Sequence, residues 1–138
     1  MTYLLDTNAV IALLKNQPSD MRARLRCALK RRASIAVSSV VLYELWYGVA
    51  RSERRNKNAE RLRIFLSSNI AVVVFNELDA VAAGDLRALL EVEGMPIGPY
   101  DLLIAAQALR RRATLVTANV REFARVRGLI SEDWTFKS

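Results

Sequence analysis

Short unbroken apolar runs alternate along this chain with longer stretches whose apolar residues recur at helical spacing. The run at 3–5 stops at Asp6-Thr7-Asn8, and apolar residues then resume at roughly helical intervals through Leu14. That pattern is a buried strand followed at once by a helix, with Asp6 at the strand's carboxyl tip. Thr7 or Asn8 is the expected cap, each having an oxygen that accepts a free first-turn N–H. Pro18 stops this helix, and Ser19 or Asp20 caps a second running to about residue 32. Residues 33–38 read as a second strand centred on Ile35-Ala36-Val37. Ser39 caps a third helix over 40–50, with Val41, Leu45 and Val49 along one stripe and Glu44 near its start.

A charged helix over 56–68 turns Leu62, Phe65 and Leu66 inward, and 71–75 is a short β-branched strand. Asn76 introduces a long helix over 77–93 with Val81, Leu86, Leu89 and Leu90 as core positions, and Gly94 ends it. The stiff loop 95–99 hands Pro99 to the first position of another helix. Asp101 lies in its first turn, with Leu102, Leu103, Ala105, Ala106 and Leu109 behind. Residues 114–117 form a fourth strand with Ala118 and Asn119 at its tip. A short helix through 122–126 follows, and 130–136 is either an edge strand or an irregular tail.

Strands alternating with helices imply an α/β fold around a mainly parallel sheet of four or five strands. The length of 138 residues suits one domain, 1–138. In right-handed βαβ units, every helix leading into a parallel strand starts on the same edge of the sheet. Asp6, Glu44, Asp101 and the turn from Asn119 to Glu122 are therefore expected to converge, although they are scattered along the chain.

Composition narrows the chemistry. No basic region precedes the first apolar run and Asp6 interrupts it, so no signal peptide is expected. Other apolar runs fall far short of the roughly 18 residues of a membrane span, and a cytoplasmic protein with no membrane partner is expected. Histidine is absent, which excludes Ser-His-Asp and Cys-His nucleophilic machinery, histidine zinc sites and paired-histidine ribonuclease chemistry. Cys27 is the only cysteine, so one chain forms neither a disulfide nor a cysteine zinc site; it reads as an inert structural thiol. The net charge of +7 is clustered, at Arg22 to Arg32, Arg51 to Arg63 and Arg110 to Arg127, and suits a polyanionic partner, nucleic acid first.

Taken singly, Glu44 is equally well an exposed helix residue, and Asp101 a favourable partner of a helix dipole. Together they are costly. Two carboxylates at about 4 Å repel by roughly 4 kcal/mol at an effective dielectric of about 20, and a protein holds such a group by protonating a member or binding a cation. All-oxygen ligands suit Mg²⁺ or Mn²⁺, and such ions activate water for attack on phosphorus. Residue types and spacing thus lead to a metal-dependent nuclease.

Four blocks carry a resemblance over nearly the whole chain. They are Leu4-Leu5-Asp6-Thr7-Asn8, Ser38-Ser39-Val40-Val41-Leu42-Tyr43-Glu44-Leu45, Ile97-Gly98-Pro99-Tyr100-Asp101-Leu102-Leu103-Ile104-Ala105-Ala106, and Leu115-Val116-Thr117-Ala118-Asn119-Val120-Arg121-Glu122-Phe123 followed by Gly128-Leu129 and Glu132-Asp133-Trp134. In this order they resemble the PIN-domain ribonucleases, and in particular the VapC toxins of toxin–antitoxin pairs. The resemblance implies a three-layer α/β/α PIN fold and an endoribonuclease dependent on Mg²⁺, with Mn²⁺ as substitute. It makes Asp6, Glu44 and Asp101 the metal ligands, with Thr7 supporting the first of them. A fourth acid is usual near the end of the fourth strand; here Asn119 holds the strand-tip position and Glu122 follows it, and either fills the role. The resemblance further implies a homodimer and a VapB antitoxin, with the bulky residues Leu42, Leu45, Trp46 and Tyr47 as its groove, as the dimer face or as plain core. The leading substrate is the anticodon stem-loop of initiator tRNA.

Two other readings compete. A strand ending in Asp-x-Asn is a faint sign of a phosphotransferase with an aspartate nucleophile, but these commonly need an acid where Asn8 stands. The other is a catalytically inactive PIN domain acting as an RNA-binding or regulatory module, supported by Asn119.

Overall fold

Tyr3, Leu4 and Leu5 are buried in succession, as are Ile35, Ala36 and Val37, and Thr114, Leu115 and Val116. Consecutive burial, in place of alternation, marks strands covered on both faces. In this computed structural model, which describes residues 1–135, they belong to β1 (Thr2–Leu5), β2 (Ser34–Ser38), β3 (Ile70–Val73), β4 (Thr114–Val116) and β5 (Ser131–Glu132). All are parallel, in the order β3-β2-β1-β4-β5. Leu5 is level with Val37 on one side and Val116 on the other. Of the two readings of 130–136, the edge strand is found; Phe136 lies outside the described residues.

The helices are α1 (Thr7–Lys15), α2 (Asp20–Lys30), α3 (Ser39–Ala50), α4 (Arg55–Leu66), α5 (Glu77–Val92), α6 (Pro99–Arg110) and α7 (Val120–Phe123). The path from β1 through β2 to β3 moves outward, and the return to β4 passes back over β1. Right-handed connections therefore put α1 to α4 on one face and α5 and α6 on the other. Contacts follow suit: α1 meets α2, α3 and α4, and α5 packs along α6. The order of strand addition reverses between β1 and β4, and the crevice between their carboxyl ends is where an open parallel sheet binds ligands.

Several expectations shift. Asp6 itself, not Thr7 or Asn8, accepts the Ala9 N–H at 2.8 Å. Its own N–H still donates to the Val116 carbonyl, so Asp6 is the last extended residue and takes the cap position. Likewise Ser38, not Ser39, accepts the Val40 N–H, while the Ser39 hydroxyl accepts the Phe75 N–H beyond β3. Ser19 stands before α2 without a side-chain cap bond. The last short helix begins before 122, at Val120, and turns Phe123 inward.

On α5 the expected core positions Val81 and Leu89 are exposed, at 59% and 50%. The inward face is instead Asp79, Ala83, Leu86 and Leu90. Asp79 shares a capping box with Asn76 and is fully buried, receiving Arg110 Nε at 2.7 Å, Arg111 Nη2 at 3.3 Å and Gln107 Nε2 at 3.3 Å. Burial alone would raise this carboxyl; the Asn76 N–H and the two guanidinium groups outweigh it and hold Asp79 below its usual range. Leu109 lies at the margin of the core, 36% exposed, and Cys27 is exposed on α2. Among the described residues, no helix is long and apolar enough to cross a membrane.

Candidate active site

The crevice at the carboxyl edge is assembled from the ends of β1 and β4 and from the first turns of α3 and α6. Asp6 is 6% exposed. Its Oδ1 accepts the Ala9 N–H, and the Thr117 hydroxyl just past β4 donates to the same carboxylate. Thr117 Oγ1 also accepts the Asn119 N–H at 3.0 Å, which sets the turn after the strand. Thr7 Oγ1 donates to Glu44 Oε1 at 2.7 Å. Thr7 therefore supports Glu44 and not Asp6: one residue into α1, its side chain faces α3.

Gly98 and Pro99 start α6 so that Asp101 falls in its first turn. Glu122 faces Asp101 from α7. Its Oε1 accepts the Gly98 N–H at 2.9 Å, and its Oε2 accepts Asn119 Nδ2 at 2.6 Å. Of the two candidates for the fourth position, Glu122 brings the carboxylate and the exposed Asn119 props it.

Electrostatics record the crowding. Burial pushes the Asp6 carboxyl up, the Thr117 and Ala9 bonds oppose it, and the charges of Glu44 and Asp133 push further up. Asp101 is pushed up to about 6, first by burial, then by Glu122, Asp6 and Glu44, and by a carboxyl–carboxylate hydrogen bond with Glu122. Every one of the effects on Asp101 favours its neutral acid.

Oxygen donors of this kind fit a hard divalent cation. Asp6, Glu44 and Glu122 each spend hydrogen bonds on the scaffold, which fixes their orientation. A Cβ at Gly98 would stand 3.5 Å from Asp101 Oδ2 and 3.7 Å from Glu122 Oε1, so the glycine keeps space open beside both. Among the described residues, no three carboxylates form a ready cage. Mg²⁺ does not need one, since it typically binds one or two carboxylates and retains waters.

Thr117 and Asp133 belong to this crevice and were not among the candidates. Both follow parallel strands at the carboxyl edge, so the strand-tip argument that singled out Asp6 extends to them. Beside the crevice, Glu44, Leu45, Gly48 and Val49 of α3 line a groove of about 260 Å³ with Ile11, Leu14 and Leu62. Leu45 thus serves both core and groove. Trp46 is half-buried with the Arg63 guanidinium over its ring, and Tyr47 is exposed.

An acid-lined crevice at the switch point of a five-stranded parallel sheet fits a PIN fold. The chain belongs to the PIN-domain family, whose profile matches residues 3–129. It is 41% identical over 134 residues to Ribonuclease VapC2 of Rickettsia felis, covering 97% of this chain and 98% of that protein. It is 38% identical over 135 residues to the tRNA(fMet)-specific endonuclease VapC of Shigella flexneri, covering 98% and 99%. The crystal structure of VapBC2 from Rickettsia felis bound to a promoter DNA fragment superposes with a TM-score of 0.91 at 40% identity, covering 97% of this chain and 99% of that one. Within the PIN family the chain falls among the VapC ribonucleases.

Proposed function

We propose that this protein is the toxin of a VapBC toxin–antitoxin pair, a divalent-metal-dependent endoribonuclease in which Asp6, Glu44 and Asp101 hold Mg²⁺ or Mn²⁺ and Glu122 completes the acidic rim. The observation that carries this is the meeting of Asp6, Glu44, Asp101 and Glu122 in one crevice at the carboxyl edge of the sheet, a crowding that raises the Asp101 carboxyl and that a bound cation would relieve. When bound, the ion supplies Lewis acidity for hydrolysis of a phosphodiester.

The chain's own residues do the positioning. The Ala9 N–H and Thr117 hydroxyl fix Asp6, Thr7 fixes Glu44, and the Gly98 N–H with Asn119 fixes Glu122. The arginine clusters supply the charge that holds an RNA backbone. A cytoplasmic tRNA is the substrate we favour, with initiator tRNA first, since the Shigella flexneri relative is named for tRNA(fMet). A VapB antitoxin is the partner, on the likeness to VapBC2, and the α3 groove beside Glu44 is its seat. Pairing with a second copy suits the exposed apolar residues Leu78, Val81, Leu89 and Val92 of α5. With the Glu122 carboxylate beside Asp101, no observation favours the inactive, binding-only reading.

The test is incubation of antitoxin-free protein, and of Asp6→Ala, with total bacterial RNA and Mg²⁺ or Mn²⁺, with cut ends mapped by sequencing. Discrete metal-dependent cuts by the wild type alone are expected. Uncut RNA with folded wild-type protein would overturn the reading.

A further inference from the structure

Two of the site acids are each preceded by a tyrosine: Tyr43 before Glu44 and Tyr100 before Asp101. Their rings stand 5.7 Å apart at 49°. Such a pair is commonly core, yet Tyr43 is 57% exposed and Tyr100 42% exposed. One turn further along α3, Tyr47 is also 57% exposed, with the Arg51 guanidinium 5.6 Å over its ring. Positions 43, 47 and 51 follow at i, i+4 and i+8, so they share one helix face and span about 12 Å. Arg54, Arg55 and Lys57 continue the positive charge beyond the helix.

The stripe therefore changes character along its length, from carboxylates through aromatic rings to guanidinium groups. A phosphate chain is repelled at the acidic end unless a cation is bound, and attracted at the basic end. Between them, three tyrosines remain exposed to solvent. Unpaired bases stack on such rings, whereas the bases of a duplex are already stacked and inaccessible. An arginine over a ring adds a cation for the strand's phosphate.

Resting on the ribonuclease reading above, we propose that Tyr43, Tyr100 and Tyr47 are substrate-positioning residues, a platform on which unpaired RNA bases next to the cut phosphate stack, with Arg51 on the backbone beyond. The platform selects single-stranded loops over helices. It touches bases, not the reacting phosphate.

Binding is measured with a short, unstructured, fluorescein-labelled oligoribonucleotide and with a duplex of the same composition, in EDTA so that nothing is cut. Leucine at both Tyr43 and Tyr100 should weaken single-strand binding at least tenfold, within the range of one or two lost stacks. Phenylalanine at both should restore it, and duplex binding should change little. In cleavage assays the leucine variant should raise KM more than it lowers kcat. Thermal melting establishes that both variants fold.

Unchanged single-strand affinity in the leucine variant overturns the platform, as does an equal loss with phenylalanine or an equal loss for duplex. Lost affinity for the VapB partner with RNA binding intact would assign the face to the antitoxin and overturn it too. Failure of the ribonuclease reading shows separately, as absence of metal-dependent cutting by the wild type, because binding is scored without metal.

Discussion

The Thr7 hydroxyl donates to Glu44 Oε1 at 2.7 Å, joining the first turn of α1 to α3 across 37 residues of sequence. A site acid on one helix is thus aimed by a neutral side chain on another. Thr7→Val keeps the shape and removes the donor. Metal affinity and RNA cleavage should each fall about tenfold to a hundredfold, as for other groups that orient a ligand. Calorimetric titration with Mn²⁺ beside a cleavage assay checks this, and unchanged affinity would make the bond incidental.

Asp101 links protonation to folding. Its carboxyl lies at about 6 in the folded chain against 3.8 ordinarily, so between those values the folded state binds more protons than the unfolded one. Stability of metal-free protein should therefore fall as pH rises from about 4 to above 6. Asp101→Asn should flatten this slope. Mg²⁺ should raise the melting temperature of the wild type at neutral pH more than that of the variant. Melting curves across pH, with EDTA and with Mg²⁺, measure both.

At the fourth position Glu122 and Asn119 should separate. Glu122→Gln removes the charge that faces Asp101 and is expected to lower cleavage at least tenfold. Asn119→Ala removes only a donor to Glu122, so a smaller loss is expected. Equal losses in a cleavage assay would mean that Asn119 acts directly.

Asp79 is a test of architecture away from the crevice. Asp79→Ala leaves Arg110 and Arg111 without their buried carboxylate and breaks the cap of α5, costing about 3 kcal/mol. Because the Asp79 carboxyl is held below its usual range, its contribution is present above pH 3.8 and is lost as pH falls through its lower folded value. Urea denaturation at neutral and acidic pH should show the wild type and variant converging on acidification.

Affinity for RNA should drop steeply with salt, since each neutralised phosphate of a single strand contributes a slope of about −0.7 in log K against log salt. Fluorescence titration over a salt series measures it. A flat response would remove the arginine clusters from the RNA surface.

What the sequence made legible was placement by topology. Asp6, Glu44, Asp101 and Glu122 fall together because strand tips and the helices beside them share one edge, a relation that survives errors of a residue at element ends. Caps at Asp6 and Ser38 were misplaced by one, because consecutive residues there offer several side-chain oxygens and only the hydrogen bond from the Asp6 N–H to Val116 decides which is still strand. On α5, counting apolar residues promoted Val81 and Leu89 and passed over Asp79, which is buried against Arg110 at the end of α6 and Arg111 just beyond it. The Thr7 bond to Glu44 joins distant positions through packing alone, and no spacing in the chain signals it.

The strand order carries a consequence for synthesis. β1 emerges first, yet its second neighbour, β4, begins only at Thr114, and Thr117 and Glu122 follow it. A chain still on the ribosome, with the residues from Thr114 onward unmade or hidden in the exit tunnel, holds Asp6 and Glu44 without the partners that form the crevice. Whatever damage the assembled crevice can do is withheld until synthesis has passed Glu122, because the site comes into being only when β4 and α7 join β1.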